Sequence, residues 1–220
     1  VVLKKALNQK EFIQKASQII ISRANKEIAK NKKFTLVLSG GNTPKDIFAN
    51  LASNHKSDVD WKCVHIFWLD ERCVSPSHKD SNYKLAHEYL LSKIPVGSIH
   101  RIKGEIDPQK AAQEYAQDII DFFNNDEISF DFLLIGMGTD GHIASLFANS
   151  KEIEDKHSLV LATSKQYNNY FRVTLGIKAI NNSKFNLLIF KGQKKYKTFL
   201  QKSNLPKDRV IFHQILYTLK

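Results

Sequence analysis

Short apolar runs recur along this chain, and each ends in a glycine-rich or charged turn before a helical pattern begins. The runs are Phe34–Leu38, Val64–Leu69, Phe132–Ile135 and Leu187–Phe190. Strands alternating with helices pair in parallel through crossover connections and bury both faces. The order therefore restricts the chain to an α/β fold with a mainly parallel sheet. In such a sheet the loops after successive strands gather on one edge, where ligands bind. Here those loops are Ser39–Thr43, Asp70–Arg72, Gly136–His142 and the turn at Gly192.

Local signals place the remaining elements. Residues 9 to 30 carry Phe12, Ile13, Ala16, Ile19, Ile20, Ala24 and Ile28 at helical spacing, with Asn8 and Glu11 set as a capping box. Thr43 is the expected N-cap of a helix that has Pro44 in its first turn. Tyr83–Leu91 reads as a helix, Ile99–Ile102 as a minor strand, and Asp107 and Pro108 open another helix. Ile143, Leu146 and Phe147 read as the start of a helix after the Gly136–His142 turn. Leu159–Ala162 and Arg172–Leu175 read as strands, and Lys194–Leu200 as a helix. Pro206 interrupts the tail, with Val210–Phe212 as a last strand before a short terminal helix. No linker or internal repeat divides the chain, so residues 1–220 are read as one α/β domain.

The chain contains no run of eighteen apolar residues and no secretory leader pattern. Its two cysteines, Cys63 and Cys73, lack metal spacing and read as reduced thiols of a cytoplasmic protein. The net charge is +11, which raises the question of nucleic acid. The lysines are spread along the chain without an aromatic-interleaved basic motif, so no nucleic-acid partner is expected. A basic surface also draws a small anion towards a cleft.

The loops carry distinct chemistry. Ser39, Gly40, Gly41, Asn42 and Thr43 combine two glycines, two hydroxyls and a helix start, which suits a phosphate. Asp70-Glu71-Arg72 sets charge at a strand end. Gly136-Met137-Gly138-Thr139-Asp140-Gly141 spells G-x-G-x-x-G, but the acidic residue expected about twenty positions on has no strand to sit on. The loop closes instead on His142, an imidazole suited to acid–base work and placed beside Asp140. Arg172 and Lys195 follow as candidate phosphate cations. No HExxH or paired histidine spacing points to a metal, and no G-x-S-x-G elbow points to a serine hydrolase.

The stretches LSGGNTPKDIFANLA (38–52), FWLDERCVSPSHKDSNY (67–83), IHRIKGE (99–105), FDFLLIGMGTDGHIASLF (130–147) and RVTLGIKAIN (172–181) together resemble the 6-phosphogluconolactonase family. The resemblance implies a Rossmann-like fold shared with glucosamine-6-phosphate deaminases and ribose-5-phosphate isomerases. It implies hydrolysis of 6-phospho-glucono-1,5-lactone in the oxidative pentose phosphate pathway, without metal or organic cofactor; a cytoplasmic monomer or homodimer is expected. It assigns phosphate contacts to Ser39–Thr43, Arg172 and Lys195, and catalysis to His142 with Asp70, Arg72 and Asp140. His142 would take the proton of the attacking water. The deaminase pattern, the nearest alternative, has Asp-Glu-Tyr where this chain has Arg72, and a glutamate where it has Phe147. The chain departs from the lactonase pattern at Thr139, at Ala148-Asn149 and in a compressed tail after Pro206.

Overall fold

A computed structural model describes residues 1–124, 126–201 and 209–219. In chain order the elements are β1 (Val2–Ala6), α1 (Gln9–Asn31), β2 (Phe34–Leu38), α2 (Asn42–Asn54), β3 (Val64–Trp68) and β4 (Asp70–Arg72). Next come α3 (Asn82–Ala86), β5 (Ser98–His100), α4 (Pro108–Phe122), β6 (Phe132–Gly136), α5 (Lys151–Glu154), β7 (Val160–Ala162) and β8 (Arg172–Leu175). The chain closes with α6 (Ile177–Asn181), β9 (Asn186–Lys191), α7 (Gln193–Leu200) and β10 (Gln214–Thr218). Among the described residues these strands form a seven-stranded parallel sheet, ordered β1-β10-β9-β6-β2-β3-β5, and a small antiparallel sheet, β4-β8-β7.

The central strands are buried on both faces, as a parallel sheet requires: every residue of β2 is buried, and in β6 all but the last. Helices α1 and α2 pack together over β1, β2, β6, β9 and β10, while α4 packs against β5 and the small sheet. Asn8 caps α1 by accepting from Glu11 N, and the Glu11 carboxylate reaches back to Leu7 N, completing the expected box one residue early. Asp107 caps α4 through Gln109 N and Lys110 N. The Asp131 carboxylate accepts from Thr35 N, Thr35 Oγ1 and Lys184 Nζ at 2.7–2.9 Å, tying β2 to the start of β6.

Several expectations from the sequence are corrected. The residue before α2 is Gly41, at φ 95°, so Asn42 and Thr43 already lie inside the helix. Asp70–Arg72 is not a loop: the chain leaves β3 at Leu69 and immediately pairs with β8. The Tyr83–Leu91 helix is α3 followed by a π-helical turn at His87–Leu91. No helix starts at Ile143–Phe147. Gly141 (φ 88°) and Ala144 (φ 52°) break the helical path, and Ile143 bridges to Met137 and Leu146, so the segment folds back and buries its apolar side chains.

The last strand is Gln214–Thr218 rather than Val210–Phe212, and no terminal helix follows among the described residues. It slots between β1 and β9. Strand β1 escaped notice because Val2 to Lys5 are exposed, leaving no alternation to read. Pro206 lies outside the described residues.

Candidate active site

Strand order reverses between β2 and β6. From β2 the chain runs to β3 and β5 on one side, and β6, β9 and β10 lie on the other. A crevice opens outside the carboxyl ends of strands at such a point. The crevice here is a cleft of about 210 Å³. Ser39–Pro44 and Gly136–Gly138 line its floor; Asp70, Arg72, His142, Arg172 and Lys195 line its walls. A larger depression of about 1070 Å³ lies where β6 and β9 begin, around Ile128, Ile153 and Ile177. That is the opposite end of the strands from the loops that carry the chemistry.

The His142 loop is built to present one nitrogen. Gly138 N donates to His142 O at 2.8 Å, closing the turn. His142 Nδ1 lies 2.5 Å from Asp140 Oδ1. An ionised carboxylate only accepts, so Nδ1 carries the proton and Nε2 is left as the acceptor. The imidazole holds the Asp140 carboxyl down at about 2, so Asp140 is anionic near neutrality. Nε2 has no protein partner among the described residues. The ring also packs against Phe147, 4.5 Å between centroids, and Phe147 stacks on Tyr167 at 3.7 Å.

The small sheet puts two guanidiniums into the same cleft. Arg72 and Arg172 are direct partners in the β4–β8 ladder. Like charges facing each other across a strand pair destabilise it, and Arg172 is only 4% exposed. Burial and the Arg72 charge both hold the Arg172 guanidinium below its usual value, against the pull of Asp70. Each arginine donates to a loop carbonyl: Arg72 Nη1 to Asp80 O at 2.6 Å and Arg172 Nη2 to Tyr167 O at 3.3 Å. The Nε of each is buried, with no partner among the described residues. Two under-satisfied guanidiniums side by side favour an anion between or above them.

Two helix N-termini flank this pair. Gly41 (φ 95°) and Gly192 (φ 92°) turn the chain from β2 into α2 and from β9 into α7, on either side of β6. First-turn N–H groups lack intrahelical partners and favour anions. Lys195, in the first turn of α7, is half-buried; burial lowers its ammonium while Asp140 raises it. Ser39 lines the cleft, but its hydroxyl donates to Leu134 O at 2.6 Å and accepts from Gly136 N at 3.1 Å. It welds the two loops together rather than pointing at a ligand. Asp70 is also committed. It accepts from Ser145 Oγ at 2.7 Å, and its nearest cation is Arg172 at 3.9 Å, not Arg72.

Two supporting residues were given no role by the sequence. Glu71 is buried, and its carboxylate accepts from Arg72 N, Ser81 Oγ, Asn82 N and Tyr83 N. Burial pushes its carboxyl up and these donors pull it back. Asn82 donates to Asp70 O at 2.8 Å and packs its carboxamide against Gly40, where an added Cβ would lie 1.7 Å from Oδ1. Adjacency of Glu71 to a functional motif was the one available hint. Asn82 gave none, since its contacts with Asp70 and Gly40 depend on how the segment after β4 folds back. Among the described residues no group of three or more His, Cys, Asp or Glu side chains is placed to hold a metal ion.

The family profile described as Glucosamine-6-phosphate isomerases/6-phosphogluconolactonase matches residues 7–210. A 6-phosphogluconolactonase of Synechocystis sp. is 33% identical over 195 residues, spanning 86% of this chain and 79% of its own. That of Treponema pallidum is 32% identical over 182 residues, spanning 81% and 76%. The solved structure of a 6-phosphogluconolactonase from Thermotoga maritima superposes with a TM-score of 0.87 at 26% identity, covering 100% of this chain and 99% of that one.

Proposed function

Since the chain belongs to the glucosamine-6-phosphate isomerase/6-phosphogluconolactonase family, we propose that it hydrolyses 6-phospho-D-glucono-1,5-lactone to 6-phospho-D-gluconate. The observation that carries this reading is the shared cleft: an oriented imidazole with a free Nε2 lines it together with two guanidiniums and the first turns of two helices. A lactone is an ester, so water must attack its carbonyl carbon and the ring oxygen must leave. His142 Nε2 takes the proton of that water, and the resulting imidazolium, stabilised by Asp140, returns it to the ring oxygen. Arg72 stabilises the oxyanion that develops at the carbonyl. Arg172, Lys195 and the N–H groups of Asn42 and Thr43 hold the phosphate. Asp70 positions Arg172, and Ser39, Gly40 and Gly41 shape the phosphate loop.

Phe147 supports this reading over amine chemistry, because an apolar ring packs against His142 where the deaminase pattern has a glutamate. The reading takes residues 1–220 as one catalytic domain with a continuous core. It takes a small sugar phosphate, not nucleic acid, as the partner, and a monomer or homodimer in the cytoplasm as the working form.

The test is a lactonase assay on fresh 6-phosphogluconolactone with spontaneous hydrolysis subtracted and glucosamine 6-phosphate as the control substrate. Wild type should turn over the lactone only, and His142→Ala should lose about 10²–10⁴-fold in kcat. Equal turnover by the variant at neutral pH would remove His142 from the mechanism. Turnover of the amino sugar instead would overturn the lactonase reading.

A further inference from the structure

The two cleft arginines are held by different loops. Arg72 is anchored by the carbonyl of Asp80, in the segment between β4 and α3. Arg172 is anchored by the carbonyl of Tyr167, at the tip of the β7–β8 hairpin. That tip is a tight turn: Tyr167 and Tyr170 exchange backbone hydrogen bonds, with Asn168 and Asn169 both at positive φ between them. The separation of the two guanidiniums therefore depends on how the hairpin tip sits relative to residues 75–81.

Cys73 N donates to Phe171 O at 2.9 Å at the base of these segments, and a side-chain bond joins them further out. Tyr170 Oη donates to Asp80 Oδ2 at 2.8 Å, across about ninety positions of sequence. The Tyr170 ring also meets His78 edge-on at 5.9 Å, and His78 Nδ1 accepts from Asp80 N. The same Asp80 thus receives the latch on its side chain and Arg72 on its carbonyl. On the other side, the backbone of Tyr170 closes the turn whose Tyr167 carbonyl receives Arg172. The bond holds the Asp80 carboxyl below its usual range and pushes the Tyr170 phenol up, as expected of a charge-assisted pair.

We propose that Tyr170 is a positioning residue of this site: its hydroxyl, latched on Asp80, sets the spacing of Arg72 and Arg172 and so tunes affinity for the phosphorylated substrate. The proposal rests on the lactonase reading for its substrate, but the latch can also be tested by anion binding alone. Tyr170 does not touch the reacting atoms. Its loss should act through both arginines, on phosphate binding through Arg172 and on turnover through Arg72.

The experiment compares wild type, Tyr170→Phe, Asp80→Ala and the double variant. Phenylalanine keeps the ring against His78 and removes only the hydroxyl; alanine removes the accepting carboxylate and keeps the backbone carbonyl that holds Arg72. KM for the phosphorylated lactone and the calorimetric Kd for 6-phosphogluconate are measured with kcat and Tm. Tyr170→Phe should raise KM and Kd about 3- to 10-fold, the loss of one partly solvated hydrogen bond to a charged acceptor. A fall in kcat should accompany the rise in KM, because Arg72 serves the oxyanion. The double variant should be no worse than the more affected single one, because both remove the same bond.

A merely structural role would lower Tm and the active fraction while leaving KM and Kd unchanged, and that outcome overturns the proposal. So do effects of the two single variants that add in the double variant. If wild type hydrolyses the lactone and Tyr170→Phe matches it in KM and Kd, the latch fails and the lactonase reading stands. If wild type hydrolyses no lactone but binds 6-phosphogluconate more tightly than Tyr170→Phe does, the latch stands and the reaction is wrong. A wild type that neither hydrolyses the lactone nor binds 6-phosphogluconate overturns both.

Discussion

The ring of His142 occupies the space that a side chain at residue 138 would need. A Cβ on Gly138 would lie 2.2 Å from both Cε1 and Nδ1 of that ring and 2.6 Å from Asp140 Oδ1. Gly138→Ala must therefore displace the imidazole, and kcat/KM on the lactone should fall about 10²-fold, the usual scale for a misplacement near 1 Å. Far-ultraviolet circular dichroism should be unchanged, because the loop lies outside the strands. Wild-type activity in the alanine variant would show that the ring has no fixed working position. Asp140→Asn tests a different property of the same residue pair. An amide can donate to Nδ1 and select the wrong tautomer, so kcat should fall by up to ~10⁴-fold with little change in KM. A variant that kept its turnover would mean that Asp140 orients nothing.

At the scale of elements, the two glycine-capped helices carry the phosphate hypothesis. Gly41 and Gly192 combine φ above 90° with ψ of 175° and 151°, a region open essentially to glycine alone. Neither position is crowded: among the described residues nothing lies within 4 Å of an added Cβ. Any effect of alanine there is therefore backbone strain, about 1–3 kcal/mol at each site. The chain can relieve that strain by rotating the first turn of α2 or α7 away from the cleft. Gly41→Ala and Gly192→Ala should lower Tm and weaken 6-phosphogluconate binding together, read by calorimetry. A fall in Tm with unchanged binding would detach that helix terminus from the phosphate.

The same elements show what was legible beforehand. Strands β2, β3, β6 and β9 were readable because each is a dense apolar run ending in a turn signal. Strand β1 and the true position of β10 were not, because edge exposure and the Val210–Phe212 decoy hide the pattern. The helix expected at Ile143 failed because i, i+3 apolar spacing also fits a loop folded back into the core.

For the whole molecule, pH enters through histidines outside the cleft. Burial, with His100 and Lys33 nearby, lowers the imidazole of His65 below its ordinary 6.5; burial and Arg23 do the same to His213. The unfolded chain then binds protons near pH 6.5 that the folded chain refuses. Stability is accordingly full above that value and is lost as pH falls through it towards the folded values. Thermal unfolding should show Tm dropping between pH 7.5 and 5.5, and dropping less in His65→Gln/His213→Gln. Equal slopes in the two proteins would assign the pH dependence to other groups.

At this scale the division between sequence and structure is plain. The alternation of the central strands with helices, the parallel sheet and the loop that offers His142 beside Asp140 were determined by sequence alone. Each is written in local periodicity and turn chemistry, within reach of a few residues. The tertiary structure decided that Asp70–Arg72 leaves the main sheet to pair with β8, bringing Arg72 opposite Arg172 from about a hundred positions away. It also decided that Asp70 serves Arg172, that Ser39 is spent on joining two loops, and that Tyr170 reaches Asp80. Those facts depend on register between distant strands, and no local pattern of apolar and polar residues specifies which distant strand will be the partner.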